Sequence, residues 1–329
     1  MKKVIAVLVL AALCCSLPVL AGAEEPEIYT LLSPKGKVLT RYQGQCEKGD
    51  EYISGDNKHY RVTRVDESAH TARTELVGDA NMPDVGWLDQ VADATPVSAV
   101  ARKIALYCTH SDESYIEGDG TQSSEKRGGI YDVAEKFGAR LEALGATVER
   151  SEETHHPHDA GAYRRSRQTA VKLLKGQPSA IFDLHRDGIP DPEEYAVTIG
   201  GEKMSKVRLL VGKSNQNREA NLSFAKQIKA VGDKLYPKLI KDIYMGKGTY
   251  NQDLAPRSVL LEFGTHTLSK ERVLRSTGPM AEVCYKALFG GVTGSAGASD
   301  VSGSKSAENV PADQSNKGSG AAVWIILAL

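Results

Sequence analysis

Ser179-Ala-Ile-Phe-Asp-Leu-His185-Arg-Asp-Gly188 is a short apolar run that ends in ionisable side chains. Its length, and the glycine and proline residues around it, are typical of a buried strand. Such a strand delivers Asp183, His185 and Arg186 to a surface at its carboxyl end. In open α/β sheets, ligands bind at that edge. The segment therefore predicts a functional site at the end of a central strand.

Two other apolar runs have the same outline, Lys103-Ile-Ala-Leu-Tyr-Cys-Thr-His110 and Ser258-Val-Leu-Leu-Glu262. If the three runs lie side by side in a parallel sheet, their terminal side chains converge on one pocket. Two imidazoles, a carboxylate ligand and a further glutamate are the usual components of a catalytic zinc site with an open position for water. We therefore predict a zinc site built on His110 and His185.

The third zinc ligand is less clearly indicated. Glu113 follows His110 by three residues, close enough in a turn for both side chains to reach one ion. A cap for the following segment explains this carboxylate equally well, so both roles stay open. The cluster His155-His156-Pro157-His158-Asp159 is the alternative source of a third ligand, although adjacent histidines in such a loop make a poor preformed site.

Glu262 is the predicted general acid and base, because burial beside a metal would tune its pKa for proton transfer. The alternative is a carboxylate held in a salt bridge by Arg257 or Arg164. Asp183 alternates with His185 and so faces the same side of the strand, where it suits a partner for the imidazole.

Arg186 carries a permanently charged guanidinium group, which suits a substrate carboxylate or carbonyl. Pairing with Asp159 or Asp187 is the alternative for this side chain.

The composition is that of a soluble globular protein, with 329 residues, 41% hydrophobic and 25% charged. A formal net charge of -1 gives no electrostatic case for binding nucleic acid. After the N-terminal region, Cys46, Cys108 and Cys284 remain, and they have no close pairs. This is neither a disulfide scaffold nor a cysteine zinc site.

The chain divides into five segments. A charged start, an apolar run and small residues indicate a secretory signal peptide over 1–23, with an uncleaved signal anchor as the alternative. We expect an exported protein that is periplasmic, in the cell wall or extracellular, and leave a membrane tether open. The other segments are a small antiparallel β domain over 24–97, a catalytic domain over 98–290, a flexible linker over 291–320 and a short hydrophobic segment over 321–329.

The catalytic segment alternates strands and helices, which predicts an α/β fold with a mostly parallel sheet flanked by helices. Apolar spacing and glycine boundaries predict helices over 131–144, 161–175, 219–235 and 270–288. The small β domain is expected to precede this sheet. The hydrophobic segment at 321–329 is too short to span a bilayer, and it is expected to be a truncated anchor or an interfacial foot.

The chain resembles the stage II sporulation protein P family, a branch of the zinc-dependent N-acetylmuramoyl-L-alanine amidases that cut peptidoglycan. Five motifs carry the resemblance in the family's order, over about residues 40–290: Thr109-His-Ser-Asp-Glu-Ser-Tyr115, Gly161-Ala-Tyr-Arg-Arg-Ser-Arg167, Asp183-Leu-His-Arg-Asp187, Tyr250-Asn-Gln-Asp-Leu254 and Leu260-Leu-Glu-Phe-Gly264. The resemblance implies that His110 and His185 bind zinc, that Glu113 occupies the third ligand position and that Glu262 is catalytic. The loop Thr154 to Ala160 departs from the family's pattern.

The resemblance implies hydrolysis of the amide between N-acetylmuramic acid and L-alanine, in sporulation or cell-wall remodelling. A zinc peptidase that cuts within the stem peptide, and a non-catalytic peptidoglycan-binding protein, are the alternatives. Peptidoglycan is the expected partner, and other cell-wall hydrolases or septal proteins stay open. We expect the substrate to be held by Arg186 and by the helix end that carries Tyr163, Arg164 and Arg167.

Overall fold

The structure is a computed structural model, and it describes residues 27–89, 102–159 and 161–290. The predicted signal peptide at 1–23, linker at 291–320 and hydrophobic segment at 321–329 lie outside the described residues. The predicted boundary between residues 97 and 98 also lies outside them.

The described residues form thirteen strands and five α-helices. The strands are β1 (Ile28–Leu32), β2 (Val38–Gln43), β3 (Glu51–Ile53), β4 (Lys58–Asp66), β5 (Thr71–Asp79), β6 (Lys103–Tyr107), β7 (Thr147–Arg150), β8 (Ala180–Asp187), β9 (Ala196–Ile199), β10 (Glu202–Ser205), β11 (Val207–Gly212), β12 (Ile240–Gly246) and β13 (Ser258–Thr265). The helices are α1 (Ile116–Asp119), α2 (Ile130–Ala143), α3 (Ala162–Leu174), α4 (Arg218–Leu235) and α5 (Lys270–Phe289). Short 3-10 helices occur at Gly86–Asp89, Pro192–Glu194 and Gln252–Leu254.

Eleven strands form one mixed sheet in the order β2-β1-β5-β4-β3-β12-β11-β13-β8-β6-β7. Five of its strand pairs are parallel and five are antiparallel. The prediction of a mostly parallel sheet is therefore wrong. Apolar periodicity identifies a strand but not its direction, and β11 runs antiparallel to β13 in the middle of the sheet. The strands that carry the predicted site, β6, β8 and β13, are mutually parallel as expected.

The N-terminal strands continue the main sheet. Strand β3 pairs antiparallel with β12, which places Ile53 opposite Ile243 and Tyr52 opposite Tyr244. The turn after β3 is also fastened to helix α4, since the buried Lys229 Nζ donates to the Gly55 carbonyl at 3.1 Å. In the described part of the chain, these strands therefore do not form a sheet of their own.

The two faces of the sheet are packed differently. Helices α2, α4 and α5 cover one face with an apolar core that includes Phe182, Leu184 and Phe263. Helix α3 packs on the other face near Ile181. Because strand side chains alternate, Asp183 and His185 share the α3 face with Ile181. This alternation separates Asp183, His185 and Asp187 from the large apolar core.

No helix in the described ranges combines the length and the apolar composition that crossing a membrane requires.

Candidate active site

The structure brings together the three residues predicted to bind zinc. His110 follows the end of β6, Glu113 lies in the next turn, and His185 lies near the end of β8. The Glu113 Oε1 atom is 3.1 Å from His110 Nδ1 and 3.3 Å from His185 Nδ1. One ligand atom from each residue lies within 4.8 Å of the others. His185 thus meets His110 and Glu113, which are 75 and 72 residues away in the sequence, near the carboxyl ends of β6 and β8.

The two separations that involve Glu113 fit ligands of one zinc ion. Zinc binds imidazole nitrogen and carboxylate oxygen at roughly 2.0–2.2 Å, so two ligands of one tetrahedral ion lie about 3.3 Å apart. The separations between Glu113 and the two imidazoles match that value within 0.2 Å. Two nitrogens and one carboxylate oxygen are also a donor set of catalytic zinc sites, in which the fourth position stays open.

Glu113 is buried, with 3% of its surface exposed. Its Oε2 atom accepts a hydrogen bond from the Arg186 backbone N–H at 2.8 Å, which leaves Oε1 facing the two imidazoles. The short helix α1 begins at Ile116 and has no side-chain cap. The geometry therefore favours the ligand interpretation of this carboxylate over the capping one.

Two of the three residues, His110 and Glu113, are in the protonation state that a cation requires. Burial lowers the pKa of His110, which favours the neutral imidazole that a metal needs. Burial opposes ionisation of Glu113, but the charge of His185 and a hydrogen bond from His110 outweigh it and hold the pKa of Glu113 well below its usual range. Burial likewise disfavours the charged form of His185, yet Asp183 and Glu113 raise its pKa well above the ordinary value. Metal binding would release that proton.

Asp183 lies behind His185, and its role as a partner for the imidazole stays a prediction. Its Oδ1 atom is 3.1 Å from His185 Nε2, although the two atoms form no hydrogen bond. The same carboxylate accepts hydrogen bonds from the Thr109 backbone N–H at 2.8 Å and from its hydroxyl group at 2.6 Å. Asp183 therefore joins the end of β6 to β8 and orients both elements that carry the imidazoles.

Glu262 lies beside the histidines on the neighbouring strand. It is directly opposite His185 on β8 and opposite Arg208 on β11. Its Oε2 atom is buried and has no hydrogen-bond partner in the described part of the chain. Burial and the nearby charge of Asp187 raise the pKa of Glu262 to about 8. A carboxyl group in this state can exchange a proton near neutral pH.

Of the four predicted substrate-binding residues, Tyr163 is the aromatic one, and its side chain lies beside the candidate histidine ligands. The Tyr163 ring lies 5.4 Å from that of His110, between centroids. Arg167 is engaged by Asp253 in a two-point ion pair, at 2.6 and 2.8 Å. Arg164 is exposed. The substrate role of all four residues stays a prediction.

The Arg186 side chain contacts the loop that carries Glu113. Its Nε atom donates to the Ser114 carbonyl at 3.3 Å, and one terminal nitrogen donates to the Gln122 carbonyl at 3.0 Å. These bonds differ from the alternative predicted from sequence, in which Arg186 pairs with Asp159 or Asp187. They fasten this loop over the site. Gly128 allows the loop to pack closely, because a Cβ atom there would overlap the backbone of Asp112 and Glu113.

The histidine cluster at 155–158 contributes one neighbour to the site. His155 is buried and hydrogen bonded through both nitrogens, to the Cys108 carbonyl and to the Thr169 hydroxyl group, each at 2.9 Å. His158 instead stacks on His110, with ring centroids 3.9 Å apart. Its Nδ1 atom lies 3.0 Å from Asp112. Burial opposes the charged form of His158, but that hydrogen bond raises its pKa above the ordinary value.

Sequence reasoning missed Arg208, which is 1% exposed. Its guanidinium group pairs with Asp242 at 2.7 Å and with Asp187 at 3.0 Å, directly behind Glu262. The available signal was one arginine inside the apolar run Val207-Arg-Leu-Leu-Val211. Long charged side chains are almost never fully buried unless they are paired, so this arginine required acidic partners that the sequence does not identify.

Comparisons with known proteins find a family model that matches most of this chain and several solved structures that are similar to part of it. A family model described as stage II sporulation protein P (SpoIIP) matches residues 24–285. Stage II sporulation protein P of Bacillus subtilis (strain 168) is 30% identical over 199 residues, which are 55% of this chain and 49% of that protein. The match thus spans about half the length of the curated relative.

Two solved structures illustrate the fold comparison. The N-acetylmuramoyl-L-alanine amidase AmiC2 of Nostoc punctiforme is 12% identical with a TM-score of 0.38, covering 58% of this chain and 97% of that one. The CwlD amidase from Clostridioides difficile, solved in complex with the GerS lipoprotein, is 16% identical with a TM-score of 0.36, covering 56% of this chain and 95% of that one.

Proposed function

The chain belongs to the stage II sporulation protein P family, and from this membership and the geometry of the site we propose that it is a zinc-dependent peptidoglycan hydrolase. The resemblance that the five motifs predicted is confirmed, since the family model covers residues 24–285. One observation carries the proposal: ligand atoms of His110, Glu113 and His185 lie within 4.8 Å of one another, beside a buried oxygen of Glu262 that has no hydrogen-bond partner among the described residues.

We propose that the bond cut is the amide between the lactyl group of N-acetylmuramic acid and L-alanine. The family resemblance implies this bond, and the site offers the groups that amide hydrolysis by water requires. Those groups are a place for a Lewis acid and a separate carboxyl group that can move a proton. The family's name supports a role in sporulation. Export from the cytoplasm, expected from residues 1–23, stays a prediction.

Each residue of the site has a defined part in this reaction. Zinc held by His110, Glu113 and His185 would supply a Lewis acid that acidifies water and polarises the scissile carbonyl group. Glu262 Oε2 accepts the proton of the attacking water and returns it to the leaving amine. Because that oxygen has no hydrogen-bond partner in the described residues, no protein bond must break before proton transfer. The Asp183 carboxylate lies 3.1 Å from His185 Nε2, where its negative charge would favour the proton on that nitrogen and leave Nδ1 for the metal.

The proposal is tested by measuring metal content and products on one preparation of the full chain. We expect about one zinc per chain and release of free stem peptides from purified peptidoglycan, abolished by a chelator and restored by zinc. An amidase leaves glycan strands without peptides. Cleavage within the stem peptide would favour the peptidase alternative, and binding without any metal or release would favour the non-catalytic one.

A further inference from the structure

A row of three tyrosines leads from strand β2 to the candidate zinc site. The hydroxyl groups of Tyr42 and Tyr250 are 3.2 Å apart. The Tyr250 ring packs edge-on against Tyr163, with 5.4 Å between centroids. Tyr163 in turn lies 5.4 Å from the His110 ring and 6.2 Å from the His185 ring. The N-terminal strands therefore reach the catalytic histidines through a continuous aromatic path.

The three rings differ in their access to solvent. Tyr163 and Tyr250 are partly exposed, so each can touch a bound molecule. Tyr42 is 6% exposed and stacks on Tyr244 with 3.9 Å between ring centroids. It is therefore a positioning residue, whose hydroxyl group acts on Tyr250.

The backbone around Tyr250 is shaped to hold its ring. Tyr250 and Asn251 are consecutive residues with positive φ, at 49° and 55°, a conformation that costs energy for residues other than glycine and that clusters at functional sites. A Cβ atom at Gly248 would overlap the Tyr250 ring, so only glycine leaves room for it there. The Asn251 side-chain amide donates to the Tyr163 carbonyl at 3.0 Å, which joins this segment to helix α3.

We propose that Tyr163 and Tyr250 form a binding subsite for a sugar ring of the glycan strand, and that Tyr42 of the N-terminal sheet holds Tyr250 in position. The inference rests on the proposed function and names the part of the substrate that lies on this side of the zinc site. Tyrosine presents an apolar ring and a polar hydroxyl group, which match the carbon-bound face and hydroxyl groups of a neutral sugar. The ionised carboxylates of a stem peptide would instead favour guanidinium groups as partners, so neutral phenol side chains suit a sugar better than a stem peptide.

The test measures binding by the full chain carrying Glu262→Gln, so that the ligand is not cut. The probe is a preparation of peptide-free glycan strands of alternating N-acetylglucosamine and N-acetylmuramic acid. We expect Tyr163→Leu and Tyr250→Leu each to weaken binding about five- to tenfold, the loss that corresponds to one aromatic contact. Binding of free stem peptide, used as a second probe, should be unchanged.

Tyr236→Leu is the matched control, because it removes a partly exposed tyrosine that follows α4 and is hydrogen bonded to Glu282 at 2.7 Å. It should bind glycan as the parent does. Equal glycan binding by all of these proteins, or a loss confined to the stem peptide, would overturn the subsite. Glycan binding that depends on both tyrosines, in a protein that releases no peptide when Glu262 is intact, would contradict the proposed function and support the subsite.

The role of the N-terminal strand is tested by Tyr42→Phe and Tyr250→Phe, which delete the same hydroxyl contact from its two sides. Both variants keep their rings, so they also serve if a leucine variant fails to fold. We expect each to weaken glycan binding, and the double variant to bind no more weakly than either single one, because coupled residues are not additive. Additive losses, or no loss from Tyr42→Phe, would show that Tyr42 does not act through Tyr250.

Discussion

At Glu262, burial and the neighbouring charge of Asp187 both raise the pKa of the carboxyl group. Burial favours the neutral form, and the charge of Asp187 adds to that effect, so the pKa rises to about 8. Arg208 lies opposite but is shared between Asp187 and Asp242, and it lowers the pKa of Glu262 only partly. The carboxyl group therefore exchanges its proton closer to neutral pH than a surface glutamate would, which suits a group that accepts a proton and then returns it.

Glu262→Gln should separate catalysis from metal binding. We expect peptide release to fall by about 10²- to 10⁴-fold, the usual contribution of general acid and base catalysis, with the zinc content unchanged. Turnover is measured by product release, and zinc by elemental analysis of the same sample. Glu271→Gln is the control, since that carboxylate is exposed and pairs with Arg275 on α5. Near-normal turnover by Glu262→Gln would rule out the assigned role.

Strand β13 contains an irregularity just after Glu262. Its pairing with β8 shifts register between Glu262 and Thr265. Gly264 has a φ of 73°, which places it in the left-handed region. A Cβ at Gly264 would lie 2.8 Å from Ser205 Oγ and 2.9 Å from Val273 Cγ2. The glycine thus permits a bulge that ends regular pairing beside the site.

Gly264→Ala should destabilise the protein by about 1–3 kcal/mol, because it combines backbone strain with a steric clash. The measurement is urea unfolding, with peptide release assayed in parallel. We expect activity to fall as well, since the bulge adjoins Glu262. Gly36→Ala is a matched control with φ of 78°, and apart from Gly36 and its two chain neighbours the described residues place no heavy atom within 4 Å of the added Cβ. It should show the backbone cost alone and keep full activity, and equal effects of both variants would contradict this account.

For the whole molecule, the buried cluster around Arg208 unites four strands. Arg208 on β11 pairs with Asp187 on β8 and Asp242 on β12. One of its terminal nitrogens also donates to the Thr40 hydroxyl group at 2.7 Å and to the Arg41 carbonyl at 2.8 Å, both on β2. The N-terminal and catalytic parts of the sheet therefore share one set of buried charges.

Arg208→Met should destabilise the protein by about 3–5 kcal/mol, the usual cost of leaving buried charges without their partner. Unfolding in urea, followed by circular dichroism, measures the loss. Arg275→Met is the control, because the Arg275–Glu271 pair is exposed, at 38% and 74% of the side-chain surfaces, and exposed pairs contribute about 0–1 kcal/mol. A similar loss in both variants would show that the buried cluster does not stabilise the fold.

The same cluster should make stability depend on acid. Burial disfavours ionised Asp242, but the charges of Arg208 and Lys241 outweigh it and hold its pKa below the ordinary range. A depressed folded-state pKa adds stability that is fully present above the unfolded value, about 3.9, and that is lost as pH falls towards the folded value. The free energy of unfolding should therefore decline below about pH 4, with a shallower decline in Asp242→Asn. Identical acid profiles of the two proteins would contradict this contribution.

Much of the site was determined by local sequence. Apolar runs that end in His110, His185 and Glu262 identify three strands and their carboxyl ends, because burial of a short strand requires consecutive apolar residues. Apolar residues at helical spacing likewise located helices α4 and α5, predicted over 219–235 and 270–288 and found at Arg218–Leu235 and Lys270–Phe289. The approach of the two histidines to Glu262 followed from parallel strands that share one edge. The sequence left Glu113 open between a ligand and a cap, and the fold placed its Oε1 atom beside both imidazoles.

The tertiary structure decided what depends on partners distant in the chain. Strand direction was one such property, since β11 is antiparallel to β13 through pairing that apolar periodicity does not encode. The partners of the arginines were another, because Arg167 pairs with Asp253, 86 residues away, and Arg208 reaches Thr40, 168 residues away. A charged residue within an apolar run indicates that the buried charge needs a partner. Only the folded chain determines which residue that partner is.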